Sequence, residues 1–222
     1  MDLIIFLLIV IIPALAQLFI SINYSKYKRI FNESKITGQE VARKILDSNN
    51  LEKIYVVATG GNLTDHYDSS RKVIRLSKDI YDNESIASLA VAAHECGHAI
   101  QDKDGYFFMR LRRFIYPIVR IGTMFSYLVI FIGAVAEAMN IIYLGIALVA
   151  LGLIFQLVTL PVEFDASKRA LIELKNLGLV TDDELDGAKK MLISAALTYV
   201  AGVLSSALEL LRLILIFTDK KD

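Results

Sequence analysis

Cysteine is almost missing from this sequence: its 222 residues include one, Cys96, so no intramolecular disulfide can form and nothing marks an oxidising compartment. Net charge is missing too, since 24 basic residues meet 24 acidic ones. No stretch builds the extended basic and aromatic surface of a nucleic-acid binder, which sets nucleic acid aside as a partner. There is no internal repeat or low-complexity tract. Histidine is scarce, with three residues, and two of them stand four positions apart. What the chain has in quantity is apolar residues: 55% of it is hydrophobic and its mean hydropathy is +0.51, too apolar for an ordinary soluble domain. Charged residues still make up 22%, enough for a substantial water-exposed part. A mixed membrane and soluble architecture follows, with the lipid bilayer as one partner.

Residues 3–22 carry no charge and, at about 1.5 Å per residue, reach across a hydrocarbon core of about 30 Å. A cleaved signal peptide is the competing reading, but the basic cluster of Lys26, Lys28 and Arg29 follows the apolar run instead of preceding it, as for an uncleaved anchor over residues 1–23. Residues 24–114 are more polar and read as a small α/β or mainly α unit. Thr37-Gly38-Gln39-Glu40 is a capping-box pattern that opens a helix to about Asp47. The β-branched and aromatic run Ile54–Thr59 and the run Lys72–Leu76 read as strands on either side of a turn at Gly60-Gly61-Asn62 and a polar segment. From Asn83 or Ser85 the pattern turns helical to about Gln101.

Apolar segments at 115–137 and 141–160, separated by Ala138-Met139-Asn140, read as a transmembrane hairpin over residues 115–160. Residues 161–190 return to water, with a helix starting at Pro161, a stop at Gly178 and a second capping box at Thr181–Glu184. The last helix runs on through the apolar segment 191–217, where Glu209 and Arg212 are spaced to pair. Basic clusters at Lys26, Lys28 and Arg29, at Arg110, Arg112 and Arg113, and at Lys168, Arg169 and Lys175 put both polar segments on the cytoplasmic side of the cell membrane. Full crossing by the last helix would export Lys220 and Lys221 against that charge rule, so a shallow or packed helix is the alternative there.

The chemistry lies in His94-Glu95-Cys96-Gly97-His98, in the middle of a predicted helix. Imidazoles four residues apart share a helix face there and can bind one ion, with zinc as the expected metal. Glu95, next to the first ligand, is then a base that takes a proton from water for attack on a peptide carbonyl. Cys96 points off that face and reads as a small packing residue. Tyr106, Tyr116, Tyr127 and Tyr143 read as interfacial or packing residues. A third ligand must return to the same side of the membrane. Glu163, just after the hairpin, does so and would be costly without a partner, while Asp165 competes from another helix face.

Thr64-Asp65-His66-Tyr67-Asp68, Leu76-Ser77, the run Ala92–Gln101 and Pro161–Ser167 together resemble the YugP-type neutral zinc metallopeptidases of bacterial membranes. More distantly, they are similar to HtpX-like membrane peptidases. The resemblance covers nearly the whole chain. It implies a mainly α integral-membrane protein with a small α+β zincin-like catalytic domain, and it carries the ligand role onto Glu163. The chain departs from the HtpX-like pattern at Ser167, where that family has aspartate, which leaves Asp165 as the residue to support the ligands. The resemblance also sets residues 64–68 as an edge strand over the cleft, where His66 would contact substrate or stabilise the oxyanion, its ring oriented by Asp65 or Asp68.

The function that follows is zinc-dependent hydrolysis of peptide bonds in membrane or membrane-proximal proteins. A non-enzymatic scaffold binding structural zinc is the alternative, and Glu95 separates the two, since a structural site has no use for a base. A transporter is a third reading, supported only by Glu209 and Arg212, with too few intramembrane polar residues to build a pathway.

Overall fold

A computed structural model describes residues 2–218. The chain is mostly helical. Helices α1 (Asp2–Tyr27) and α2 (Gly38–Ser48) precede strands β1 (Tyr55–Thr59), β2 (His66–Asp68) and β3 (Val73–Ser77). Helices α3 (Lys78–Tyr81), α4 (Ile86–Lys103), α5 (Phe107–Val135), α6 (Met139–Asn176) and α7 (Asp182–Thr218) follow. Four of them, α1, α5, α6 and α7, are long and apolar enough to cross a membrane by length and composition.

Two compact units are built from these elements. One comprises Leu18–Tyr106 and Val162–Ala196. Its sheet has the order β1-β3-β2, with β3 parallel to β1 and antiparallel to the edge strand β2. Both faces of β3 are covered, which suits its run of Val73, Ile74 and Leu76. Helix α2 begins at a full capping box, Thr37 accepting from the Glu40 backbone while Glu40 accepts from that of Thr37. Its fully buried Val41, Ala42, Ile45 and Leu46 pack in one core with Leu89, Ala93 and Cys96 of α4 and Leu174 of α6. Burying each of the larger aliphatic side chains contributes about 1.5–3 kcal/mol, so α4 is fixed by its apolar face before any metal is considered. The carboxylate of Asp102 ties sheet to helix, accepting from the Tyr67 hydroxyl at 2.9 Å and Lys72 Nζ at 2.6 Å.

The other unit takes in the start of α1, Phe107–Pro161 and α7 from Leu197. Helices α5 and α6 approach closely at glycines: a Cβ on Gly133 would meet Ile142 N at 2.7 Å, and one on Gly145 would meet Ile130 Cγ1 at 2.5 Å. Much of the outward surface is apolar, including Ile121, Phe131, Leu144 and Leu204. Two side-chain pairs form within it, Gln156 Nε2 donating to Ser206 Oγ at 2.7 Å and the Tyr127 hydroxyl to Glu209 Oε1 at 2.9 Å, while Gln156 Oε1 is buried with no partner among the described residues. Arg212 meets both Asp2, at 2.8 Å, and Glu209, at 3.9 Å.

Three sequence-based boundaries differ. Pro161 does not begin a helix but lies inside α6, which runs unbroken from the apolar segment into the polar one. Proline costs a single helical bond there, and long apolar helices tolerate that cost, as α1 and α5 do at Pro13 and Pro117. The hairpin turn falls earlier than Ala138–Asn140, because Glu137 takes a positive φ of 53° and Ala138 N bonds back to Gly133 O. Helix α5 also starts at Phe107, before the apolar run. Lys220 and Lys221 lie outside the described residues.

Candidate metal centre

Helix α4 starts where Ser85 Oγ accepts from Ser88 N. It presents His94 and His98 on one face, their rings 4.7 Å apart between centroids and nearly perpendicular. Helix α6 brings Glu163 to them. Its Oε2 stands 3.3 Å from His94 Nε2 and 3.6 Å from His98 Nε2, with the carboxylate buried and both imidazoles mostly covered. Ligand atoms about 2.0–2.1 Å from one tetrahedral ion stand roughly 3.3 Å from each other. The three donor atoms lie within 4.8 Å of one another, and the two nitrogen–oxygen separations are close to that spacing, so two imidazole nitrogens and a carboxylate oxygen form a group that could hold a metal ion.

The approach of α6 to α4 rests on Gly97. A Cβ there would lie 2.4 Å from the Ala166 carbonyl oxygen and 3.1 Å from Ala166 Cα, so only glycine lets the two backbones meet at this level. One turn away, Gln101 is fully buried and joins the two helices by hydrogen bonds. Its Nε2 donates to Val162 O at 2.8 Å and to Asp165 Oδ2 at 2.9 Å. With its amide nitrogen so occupied, its Oε1 faces His98 Nδ1 at 3.0 Å and accepts the proton there, which leaves Nε2 as the nitrogen directed at Glu163. Ser167 Oγ takes the equivalent place at His94 Nδ1, 3.2 Å away. Asp165 is held in turn by Arg169 Nε at 2.6 Å, and Arg169 Nη1 reaches Asp104, also at 2.6 Å.

A family model described as "Putative neutral zinc metallopeptidase" matches residues 2–218. The chain belongs to this family. It is 42% identical over 207 residues, 93% of its own length and 92% of the relative's, to "Putative membrane protease YugP" of Bacillus subtilis (strain 168). No solved structure matches it.

In this member of the family, the structure gathers His94, His98 and Glu163 into one group and leaves Asp165 one step behind it, on Gln101. Glu95, between the two histidines in sequence, is buried. Burial pushes its carboxyl above the ordinary carboxylate range, against the pull of His98 and His94. His98 is also raised: burial opposes its cation, but the Glu163 hydrogen bond and the Glu95 charge outweigh that, so a proton and a metal compete for the same nitrogen. Cys96 is fully buried away from the ligands, its thiol directed at Ala42 O.

His66 does not join the ligand group. It is exposed at the start of β2, and its Nδ1 lies 2.8 Å from Thr64 O. Orientation by Asp65 or Asp68 is not what the structure has: Asp65 accepts from Ser77 N and Oγ, and Asp68 from Ser70 and Arg71. Short polar side chains beside a turn bond the nearest backbone first. Gly97 and Gln101 were passed over by sequence reasoning. The available signals were a glycine inside a helix, costly unless close packing needs it, and a glutamine three residues beyond a ligand on an otherwise apolar face.

Proposed function

We propose that this chain is a zinc-dependent endopeptidase of the cell membrane, with its site facing the cytoplasm, that hydrolyses peptide bonds of membrane or membrane-proximal proteins. The convergence of His94 Nε2 and His98 Nε2 on one Glu163 oxygen, beside a buried Glu95, carries the reading. Bound there, zinc supplies Lewis acidity to a scissile carbonyl and lowers the pKa of water.

The residues divide the remaining work. Gln101 and Ser167 hold the two imidazoles with Nε2 forward. Glu95, buried beside the two imidazoles with its pKa raised by burial, takes a proton from the attacking water at its carboxylate and delivers it to the leaving amine. His66, on the edge strand β2, is available to contact substrate or the oxyanion as the scissile carbonyl is attacked. A zincin-like catalytic fold is supported by the same arrangement, a ligand-bearing helix packed under a small mixed sheet with an antiparallel edge strand. The basic clusters flanking the apolar helices support a cytoplasmic site, and the apolar helices support substrates presented at the bilayer.

A quenched-fluorescence peptide library incubated with the purified full-length protein tests the reading. Cleavage should stop on chelation and return with zinc, and Glu95→Gln should keep zinc while losing roughly 10²–10⁴-fold in rate. Undiminished cleavage by Glu95→Gln would defeat the mechanism.

A further inference from the structure

Where α1 leaves its apolar run, the helix turns polar along one face. Ser21, Tyr24, Ser25 and Lys28 recur at helical spacing and, with Arg29, Phe31, Asn62 and Leu63, line a cleft of about 640 Å³. Tyr24 is 8% exposed, and its hydroxyl is buried with no hydrogen-bond partner among the described residues. An orphaned hydroxyl of this kind costs about 1–3 kcal/mol and is usually explained by a ligand or an ordered partner.

The charge in the cleft favours an anion. The charged side chains that line it are Lys28, paired with Asp79, and Arg29; Asp79 and Asp65, the latter accepting from Ser77 N, lie behind the lining on the side of Tyr24. Arg29 is exposed and has no ion pair among the described residues. Apolar groups surround these polar ones: Leu18 and Ile22 are each 57% exposed on α1, Phe31 is 67% exposed and Leu63 is 44% exposed. The apolar run ends at Ile22 and the first charge after it is Lys26, so Tyr24 to Arg29 fall at the level where a bilayer's headgroups begin. A free anion has no use for the apolar rim, whereas a phospholipid has both a phosphate and chains.

We propose that this cleft is a binding site for the phosphate of an anionic phospholipid headgroup. Tyr24 Oη and the Arg29 guanidinium donate to the phosphate, Ser25 and Asn62 contact the headgroup, and Leu18, Ile22, Phe31 and Leu63 meet the chain ends nearest it. Nothing in this assignment depends on the metal centre.

Native mass spectrometry of the full-length Glu95→Gln protein in detergent, titrated with palmitoyl-oleoyl phosphatidylglycerol or phosphatidylcholine, tests it without involving catalysis. The first phosphatidylglycerol should bind in preference to phosphatidylcholine. Tyr24→Phe, which changes no charge, and Arg29→Gln should each weaken that first lipid about tenfold. Lys26→Gln, outside the cleft, should leave it within about twofold. Unchanged binding by both Tyr24→Phe and Arg29→Gln overturns the site. Equal losses from Lys26→Gln and Arg29→Gln overturn it as well, by reducing it to general attraction between a basic segment and an anionic surface. A competition arm with millimolar inorganic phosphate separates the two sources: phosphate should fail to displace the lipid, and full displacement with no lipid selectivity would make the cleft a phosphate site instead. Arg29→Gln alters an exposed side chain, so its result stands even if Tyr24→Phe disturbs folding.

Discussion

Replacing Gly97 by alanine should dismantle the metal centre without touching a ligand. The new Cβ would fall 2.4 Å from the Ala166 carbonyl oxygen, whereas ordinary contact begins near 3.4 Å, and the obstruction is backbone, which has no rotamer to yield. Helix α6 must therefore move by about 1 Å at that level. Glu163 lies one turn before Ala166 on the same helix and moves with it. Its oxygen now stands 3.3 and 3.6 Å from the two imidazole nitrogens, against roughly 3.3 Å for ligands of one tetrahedral ion. A further 1 Å takes it out of bonding range of an ion held by the histidines, and a displacement of that size at a catalytic centre costs about 10²-fold. Competition with a fluorescent zinc chelator should show zinc affinity falling by about 100-fold and peptide cleavage falling with it, while circular dichroism keeps the helical signal. Zinc affinity and cleavage both within twofold of the parent would refute the reasoning, since α6 would then not be held to α4 by the absent side chain.

Two other perturbations probe separate links. Gln101→Leu removes the acceptor at His98 Nδ1 and should lower zinc affinity or activity by about 10–100-fold; a loss below twofold in both would deny Gln101 its positioning role. Cysteines placed at positions 28 and 175, in a Cys96→Ala background, should resist a membrane-impermeant maleimide in intact cells and react after lysis, and labelling from outside would invert the proposed orientation.

Local signals made several elements readable. The box Thr37–Glu40 and its counterpart at Thr181, where Glu184 bonds Thr181 N at 2.8 Å, are complete within four residues, so their helix starts could be found without tertiary information. The spacing of His94 and His98 needs only helical geometry, and the β-branched run into Thr59 needs only strand preference. Pro161 misled because its usual place, the first helical turn, matched the change from apolar to polar sequence, whereas a long helix carries it internally at modest cost. The short helix α3 gave no period to detect. The duties of Gly97, Gln101 and Ser167 depend on which helix lies opposite, and periodicity along one chain does not contain that. Glu163 and Asp165 could be named as rivals from their place after the hairpin. Their present division, one facing both imidazoles and the other bonded to Gln101, comes from the rotation of α6.

The zinc coordination shell tests the central claim most directly, through X-ray absorption at the zinc edge on the purified protein and on its Glu163→Ala and Asp165→Ala variants. The parent should show one zinc per chain with two imidazole nitrogens, light oxygen scatterers near 2.0–2.2 Å and no sulfur. Glu163→Ala should lose most of the metal, while Asp165→Ala should keep most of it with the same shell. A sulfur scatterer from Cys96, or zinc kept by Glu163→Ala and lost by Asp165→Ala, would contradict the assignment of His94, His98 and Glu163.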